Sequence, residues 1–293
     1  MKPPAFDYVA PTSIDEALEQ LSRGGEDARP LAGGQSLVPM LALRLARPSL
    51  LVDLNRVTGL AGVSHAAGEL RVGAMTRQRA ILADSLIGRH APALAEATRF
   101  VGHEQTRNRG TIGGSIGLAD PQSEYPAVAL ALGARIEARS PAGTRRIQVE
   151  KFFLGPYSTA LDRGEIVTAV IFPDWGEGTL MHVDEVARRP GDFALVGLVA
   201  ALRCDAAGKI SRAGLAWFGM APTPRRATRA EAALTGALAS GVDTEEIGRL
   251  AVEDTEPWDD VHASASYRRT VGARVAARSL RRILDASANR GRP

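Results

Sequence analysis

Two glycine pairs, about one small domain apart, constrain this chain more than any other feature. The first is Ala32-Gly33-Gly34-Gln35-Ser36-Leu37. The second is Thr111-Ile112-Gly113-Gly114-Ser115, continued by Ala119-Asp120-Pro121. Glycine permits positive φ and lets a ligand approach the main chain closely. Successive amides in such a turn form a concave anion site suited to phosphate. Ser36 is expected to cap a helix beginning at Leu37, whose N-terminal field would act on the same spot. In a chain with 30 glycines among 293 residues, either pair alone reads more simply as a turn. Two pairs, each with a hydroxyl residue beside it, point to one extended ligand carrying two phosphates. Neither pair fits G-x-G-x-x-G or G-x-x-x-x-G-K-[ST], and no lysine follows closely, which argues against a nucleotide triphosphatase.

The flanking segments place these motifs. Residues 6–9 read as a short strand. Thr12 or Ser13 can cap a helix, with Glu16 closing a capping box on Ser13, and Ile14, Ala17, Leu18 and Leu21 recur at helical spacing. Gly24-Gly25 ends it. Residues 29–32 lead as a strand into the first glycine pair, a helix follows over 37–45, and 50–54 form a buried strand. This β-α-β-α-β unit sets the pair at the C-terminal end of a strand, where open α/β sheets bind ligands.

A second module starts near Asn55. It holds a strand at 69–74, a helix capped by Thr76 to about residue 83, and a helix from Pro92 to 100. Residues 105–110 read as a polar loop feeding the second glycine pair, and 127–132 are small and apolar. Residues 134–139 and 144–149 flank a hairpin turn, and a strand at 165–172 stops at Pro173. The turn-rich stretch 173–178 marks a boundary. Expected domains are 1–174, with subdomains of about 1–55 and 56–174, and 175–293. Beyond the boundary, strand patterns at 180–186, 193–204 and 210–220 precede helical patterns at 224–238, 244–251 and 264–284, an α+β order. The last helix carries Arg268, Arg269, Arg274, Arg278, Arg281 and Arg282. A solvated face is the simpler reading; a docking surface for an acidic partner is the sharper one.

Bulk properties narrow the class. With 45% hydrophobic and 24% charged residues the composition is that of a soluble globular protein. No apolar run approaches the roughly 18–20 residues needed to span a bilayer. The N-terminus lacks the apolar core of a secretory signal. Cys204 is the single cysteine, so neither a disulfide framework nor an iron–sulfur cluster held by this chain alone is possible. A cytoplasmic location is expected. A net charge of +3 is too slight to argue for nucleic acid. His65, His90, His103, His182 and His262 are dispersed and show no local metal motif.

The stretches LAGGQSLVPMLALRLARPSLLVDLNRV and TRNRGTIGGSIGLADPQSEYPAVALALGA resemble the FAD-binding, or medium, subunit of molybdenum hydroxylases. That family includes the flavoprotein subunits of carbon monoxide dehydrogenase and the FAD domain of xanthine dehydrogenase. The resemblance extends over nearly the whole chain, including FDYVAPTSIDEALEQL, VGAMTRQ and YRRTVGARVAARSL. It implies an α+β fold: a two-part FAD-binding domain of the PCMH/vanillyl-alcohol-oxidase type, then a C-terminal domain of a three-stranded antiparallel sheet and a helical bundle. It implies non-covalent FAD with its pyrophosphate between the motifs, at Ala32, Gly33, Gly34, Gln35, Ser36 and Leu37 and at Thr111, Gly113, Gly114 and Ser115. Asp120 and Glu124 match positions near the ribityl chain. Leu161 and Val167 match a segment lining the adenine; without the resemblance, core packing is the better reading of both. Phe193 matches a position beside the isoalloxazine ring, or packs in the core of a strand.

Some residues depart from the family pattern. Gln35 stands where many members have His, Ser115 replaces a common Asn, Leu118 sits where a polar residue is frequent, and Glu185 occupies a position often held by Lys near the flavin. A carboxylate cannot stabilise a negatively charged reduced flavin, so either Arg188 or Arg189 takes that role or the potential falls. No residue is assigned as catalytic acid, base or nucleophile, and none as a metal ligand. The resemblance implies a large partner subunit with the molybdenum cofactor and a small one with 2Fe–2S clusters, as a dimer of heterotrimers. FAD would collect electrons from the clusters and pass them to an external acceptor. A stand-alone flavoenzyme of the same fold, or a non-catalytic interaction subunit, are the alternatives.

Overall fold

The computed structural model describes residues 2–176 and 178–290. The first module contains β1 (Asp7–Val9), α1 (Ile14–Gly24), β2 (Ala28–Leu31), α2 (Leu37–Ala42) and β3 (Leu50–Asp53). Its strands run parallel in the order β1-β3-β2. Helix α1 starts where Ser13 Oγ accepts the Glu16 amide at 3.2 Å. The Glu16 carboxylate takes the amide of Thr12, one residue before the cap, at 3.0 Å. The apolar stripe of α1 buries Ala17, Leu18 and Leu21 with Val52 and Leu54.

The second module opens with β4 (Val63–Ala66) and β5 (Glu69–Gly73). Six short helices follow: α3 (Gln78–Ala83), α4 (Ser85–His90), α5 (Pro92–Thr98), α6 (Glu104–Arg109), α7 (Ile112–Leu118) and α8 (Glu124–Leu132). The module closes with the hairpin β6 (Arg135–Ser140) and β7 (Gly143–Gln148), the ribbon β8 (Phe153–Gly155) and β9 (Ser158–Thr159), and β10 (Ile166–Pro173). The five-stranded antiparallel sheet has the order β4-β5-β10-β6-β7.

The third module is antiparallel, in the order β11 (Thr179–Val186), β12 (Val196–Cys204), β13 (Ile210–Phe218) and β14 (Arg225–Arg226). Helices α9 (Thr228–Leu234), α10 (Thr244–Glu253) and α11 (Ala265–Arg290) complete it. Strand β12 shows why its sequence is continuously apolar. Val199 and Ala201 face a core shared with α8, while Leu198, Ala200 and Leu202 face the core built with α10 and α11. Helix α8 is buried on every side, as a helix apolar all round must be. The second and third modules thereby share one core.

Several local expectations are corrected. Residues 105–110 are mostly helix, as α6, not a loop. Thr76 does not cap α3; its hydroxyl exchanges hydrogen bonds with the backbone of Gly62. A two-residue fourth strand, β14, extends the expected three-stranded sheet and takes the start of the predicted helix at 224–238. The terminal arginines are not one solvated face. Arg269 and Arg274 are exposed, but Arg278 pairs with Asp184 and Arg268 is fully buried.

Candidate functional site

The first glycine pair leaves the end of β2 in a turn open to ligand. Gly34 has φ +75°, a left-handed conformation that strains any residue with a Cβ. Gly33 has no room for one: a Cβ there would lie 2.4 Å from the Arg109 carbonyl oxygen. Among the described residues no acceptor takes the amides of Gly33, Gly34, Gln35, Ser36 or Leu37. Ser36 makes no capping hydrogen bond and has helical φ and ψ, so the cradle consists of main-chain amides rather than a capped helix end.

The second glycine pair works differently from the expected open turn. It forms the first turn of α7, whose cap Thr111 accepts the Gly114 amide on Oγ1 at 3.1 Å. The Gly113 amide goes to the Ala74 carbonyl at 2.8 Å, and the Ser115 amide to Thr111 at 3.2 Å. These amides are therefore engaged within the chain. The glycines serve close packing: a Cβ on Gly113 would meet Ala74 Cβ at 2.5 Å, and one on Gly114 would crowd the capping Thr111 Oγ1 at 2.9 Å, with Ala32 Cβ in ordinary contact at 3.5 Å. The second motif is a wall laid directly against the first.

Two residues that the sequence reading passed over lock the walls together. Arg77 donates to Asn55 Oδ1 at 2.5 Å and to the Arg109 carbonyl. Asn55 Nδ2 donates to the Ala32 carbonyl at 3.0 Å and to Asp53 Oδ1. Burial, and then the neighbouring Arg109 charge, lower the Arg77 pKa. No spacing or composition signal marks this pair.

A group of acids follows the second motif. Asp120 is buried, and its carboxyl is raised by that burial, partly offset by the Gln122 amide and the Tyr157 hydroxyl. Tyr157, also missed, donates to Asp120 Oδ2 at 3.3 Å from a backbone with φ +56°. Burial pushes Glu124 up to about 7, with Asp120 adding to the shift. Glu185, on β11, is pushed up to about 8 by burial and then by Glu124, and its Oε2 has no partner among the described residues. A carboxyl this weakly acidic is mostly protonated at pH 7, so Glu185 brings little negative charge to the site there. Arg188 turns toward His262, at 3.3 Å.

Phe193 is neither on a strand nor in the core. It lies in the loop before β12 and is 65% exposed. The loop is nonetheless anchored. Gly191 packs on the His103 ring, Gln122 Nε2 donates to the Ala194 carbonyl at 2.9 Å, and Arg268 Nη1 donates to the Leu195 carbonyl at 2.5 Å. Arg268 also donates to the Gly219 carbonyl, and the Gly219 amide donates to Pro121. An aromatic ring is thus held in the open by bonds to the acid-bearing loop.

Leu161 lines a cleft of about 430 Å³ together with Leu21, Arg29 and Pro30, between the first and second modules. Val167 is buried in β10 at a β-bulge. The adjoining Thr168 carbonyl accepts the Ala74 amide, whose own carbonyl holds Gly113. Val167 is thus linked to the second glycine motif through its neighbour while packing in the core, whereas Leu161 packs on the core and lines a cleft at the start of β2, away from both glycine pairs.

The free amides call for an anion, and the buried carboxyls of Asp120 and Glu124 suit sugar-like hydroxyls. These features fit FAD. Fold and site together define a two-part dinucleotide-cofactor domain with an α+β domain appended. The model for the FAD binding domain in molybdopterin dehydrogenase matches residues 4–175, and that for the CO dehydrogenase flavoprotein C-terminal domain matches 182–283. The chain belongs to the family of FAD-binding medium subunits of molybdenum hydroxylases, and is an FAD-dependent oxidoreductase subunit of that type. It is similar to the 6-hydroxypseudooxynicotine dehydrogenase complex subunit alpha of Paenarthrobacter nicotinovorans, at 40% identity over 100% of this chain and 98% of the relative. Among solved structures, carbon monoxide dehydrogenase from Hydrogenophaga pseudoflava superposes with a TM-score of 0.93 at 34% identity, covering 98% of this chain and 99% of the other. Quinoline 2-oxidoreductase from Pseudomonas putida 86 gives 0.92 at 36% identity, with coverage of 98% and 99%. Among the described residues no helix is long and apolar enough to cross a membrane.

Proposed function

We propose that the chain is the flavin-bearing electron-transfer subunit of a multi-subunit molybdenum hydroxylase in the cytoplasm. It takes electrons from 2Fe–2S clusters of a small partner subunit and passes them to an external acceptor. The large partner carries the molybdenum cofactor, and the assembly is a dimer of heterotrimers. Residues 1–174 form the FAD-carrying domain and 175–293 the C-terminal domain. The observation that carries this reading is the row of free amides at 33–37 laid against the Thr111 helix end.

In this reading the amides of Gly33, Gly34, Gln35, Ser36 and Leu37 hold the pyrophosphate. Ala32, Thr111, Gly113, Gly114 and Ser115 form the wall that fixes its position. Asp120 and Glu124 hydrogen-bond the ribityl hydroxyls, Leu161 and Val167 border the adenine, and the Phe193 side chain covers the isoalloxazine ring. The flavin supplies the redox chemistry; the chain binds it, orients it and sets its electrostatics. Glu185, mostly neutral at pH 7, takes the place of a cation beside the ring.

Co-expression with the molybdenum and iron–sulfur subunits tests the assignment. The complex should elute as one assembly in which substrate bleaches the flavin, while the isolated chain leaves the substrate untouched. Full substrate turnover by the isolated chain would instead make it a stand-alone flavoenzyme.

A further inference from the structure

We propose that His65, His90 and Asp174 form a binding site for a divalent transition metal, zinc by its chemistry, at the junction of the second and third modules. The residues come from three segments: strand β4, the end of helix α4, and the first residue after β10. His65 Nε2 lies 3.3 Å and His90 Nδ1 3.1 Å from the same atom, Asp174 Oδ2. All three ligating atoms fall within 4.8 Å of one another. A tetrahedral zinc bound at about 2.0–2.2 Å sets its ligands roughly 3.4 Å apart, so the histidine–aspartate spacings already approach two edges of that figure.

The carboxylate is oriented in advance. The Asp174 amide donates to the Gly68 carbonyl at 2.8 Å, and Asp174 Oδ1 accepts the Gly176 amide at 2.9 Å. Oδ2 is thereby turned to the two imidazoles. The side chains of His65, His90 and Asp174 are 25%, 14% and 30% exposed, open enough for an ion to enter. Two imidazoles and a carboxylate, with no thiolate, suit zinc, and a three-ligand set leaves a further position for solvent.

One adjustment is required. The two rings are stacked, with centroids 3.7 Å apart and planes 13° from parallel. Their in-plane lone pairs therefore run side by side rather than converging. Rotation about χ2, a broad torsion for histidine, brings both onto the ion. Bound there, zinc would fasten the segment entering β11 to β4 and α4. This inference concerns the junction alone and does not depend on the flavin reading.

The full chain, stripped by a chelator and dialysed, should be titrated with zinc sulfate against a chromogenic competitor. The same titration is run on His65→Ala, His90→Ala and Asp174→Asn, with His262→Ala as a control outside the cluster. The wild type and the control should bind one zinc per chain and melt at a higher temperature when loaded. Each ligand variant should lose affinity by about tenfold or more. X-ray absorption of the loaded wild type, which needs no variant to fold, should show a nitrogen and oxygen shell at about 2.0–2.2 Å with imidazole scattering. Absence of zinc uptake by the folded wild type, uptake equal in all three ligand variants, or a loaded spectrum without imidazole would overturn the site.

Discussion

Arg77 and Asn55 meet through a 2.5 Å hydrogen bond that joins the first module to the second. Through it the Ala32 carbonyl, at the first glycine motif, is tied to the Arg109 carbonyl, at the approach to the second. The cradle is assembled by side chains that touch neither glycine pair directly in sequence.

Arg77→Ala should therefore weaken FAD binding while leaving the chain folded. Hydrogen bonds to a charged group contribute about 1.5–3 kcal/mol each, so a rise of roughly 10- to 100-fold in the dissociation constant is expected. Fluorescence quenching of free FAD on titration with apoprotein measures it. Unchanged affinity would show that the walls hold without the bridge.

Gly33→Ala should separate the walls. Its Cβ would press on the backbone at Arg109 and Gly110, which cannot move aside as a flexible side chain does. Reduced FAD content should come with a loss of stability of about 1–3 kcal/mol, typical of overpacking. Urea denaturation of apo and loaded protein separates the two effects.

The pH dependence of stability has a definite sign. Glu124 and Glu185 are raised from an ordinary 4.5 to about 7 and about 8. Over that interval the folded chain binds more protons than the unfolded one. Their contribution is fully present below about pH 4.5 and is lost as pH rises through the folded values. Each proton held only in the folded state gives a slope of about 1.4 kcal/mol per pH unit at most, and the two carboxyls are coupled, so their effects do not add. Glu124→Gln and Glu185→Gln should each flatten urea-derived stability between pH 5 and pH 8 relative to wild type; a slope unchanged in both would place these carboxyls in water.

In the proposed reading Glu185 also sets the electrostatics of the flavin. Glu185→Lys should raise the reduction potential, on the order of 30 mV for each 1.4 kcal/mol of added stabilisation in a two-electron couple. Glu185→Gln should leave the potential nearly unchanged below about pH 7 and raise it above pH 8, because the native carboxyl is mostly neutral in the lower range. Potentiometric titration at both pH values is the check, and a potential unaffected by either substitution would put residue 185 away from the ring.

Arg268→Met should be severely destabilising. The guanidinium is fully buried, pairs with Asp260 at 2.6 Å and holds the Leu195 and Gly219 carbonyls. Removing one partner of a buried pair costs about 3–5 kcal/mol, toward the lower end here because Asp260 is partly exposed. A urea midpoint equal to wild type would contradict that role.

How far the sequence revealed this structure depended on whether the signal was local. The capping box at Ser13, the helical spacing of Leu18 and Leu21, and the alternation at Glu69–Gly73 lie within a few residues, and those elements formed as expected. Gly33 and Gly34 were legible because few other residues tolerate such a turn. Residues 105–110 read as a loop because Thr106 and Asn108 are weak helix formers and no apolar stripe is present; α6 buries none of its residues and is pinned instead by Arg107, which donates to the Val101 and Gly102 carbonyls at 2.9 Å. Phe193 was drawn into the strand by the apolar run that follows it. Arg268 resembles its five neighbouring arginines in type, and only the fold shows that it points inward. Asn55 with Arg77, and His65 with His90, are pairings across loops that no spacing rule marks.

The measurement that decides most directly is the FAD content of the purified chain beside that of Gly34→Val. The cradle predicts a yellow wild-type protein that releases about one FAD per chain on denaturation, and a folded, colourless variant, since valine at a left-handed position strains the turn and its Cβ would press on the Val38 and Leu31 side chains, displacing the amides. A wild-type chain that neither carries nor takes up FAD, a flavin that stays attached after denaturation, or equal FAD content in the variant would contradict it.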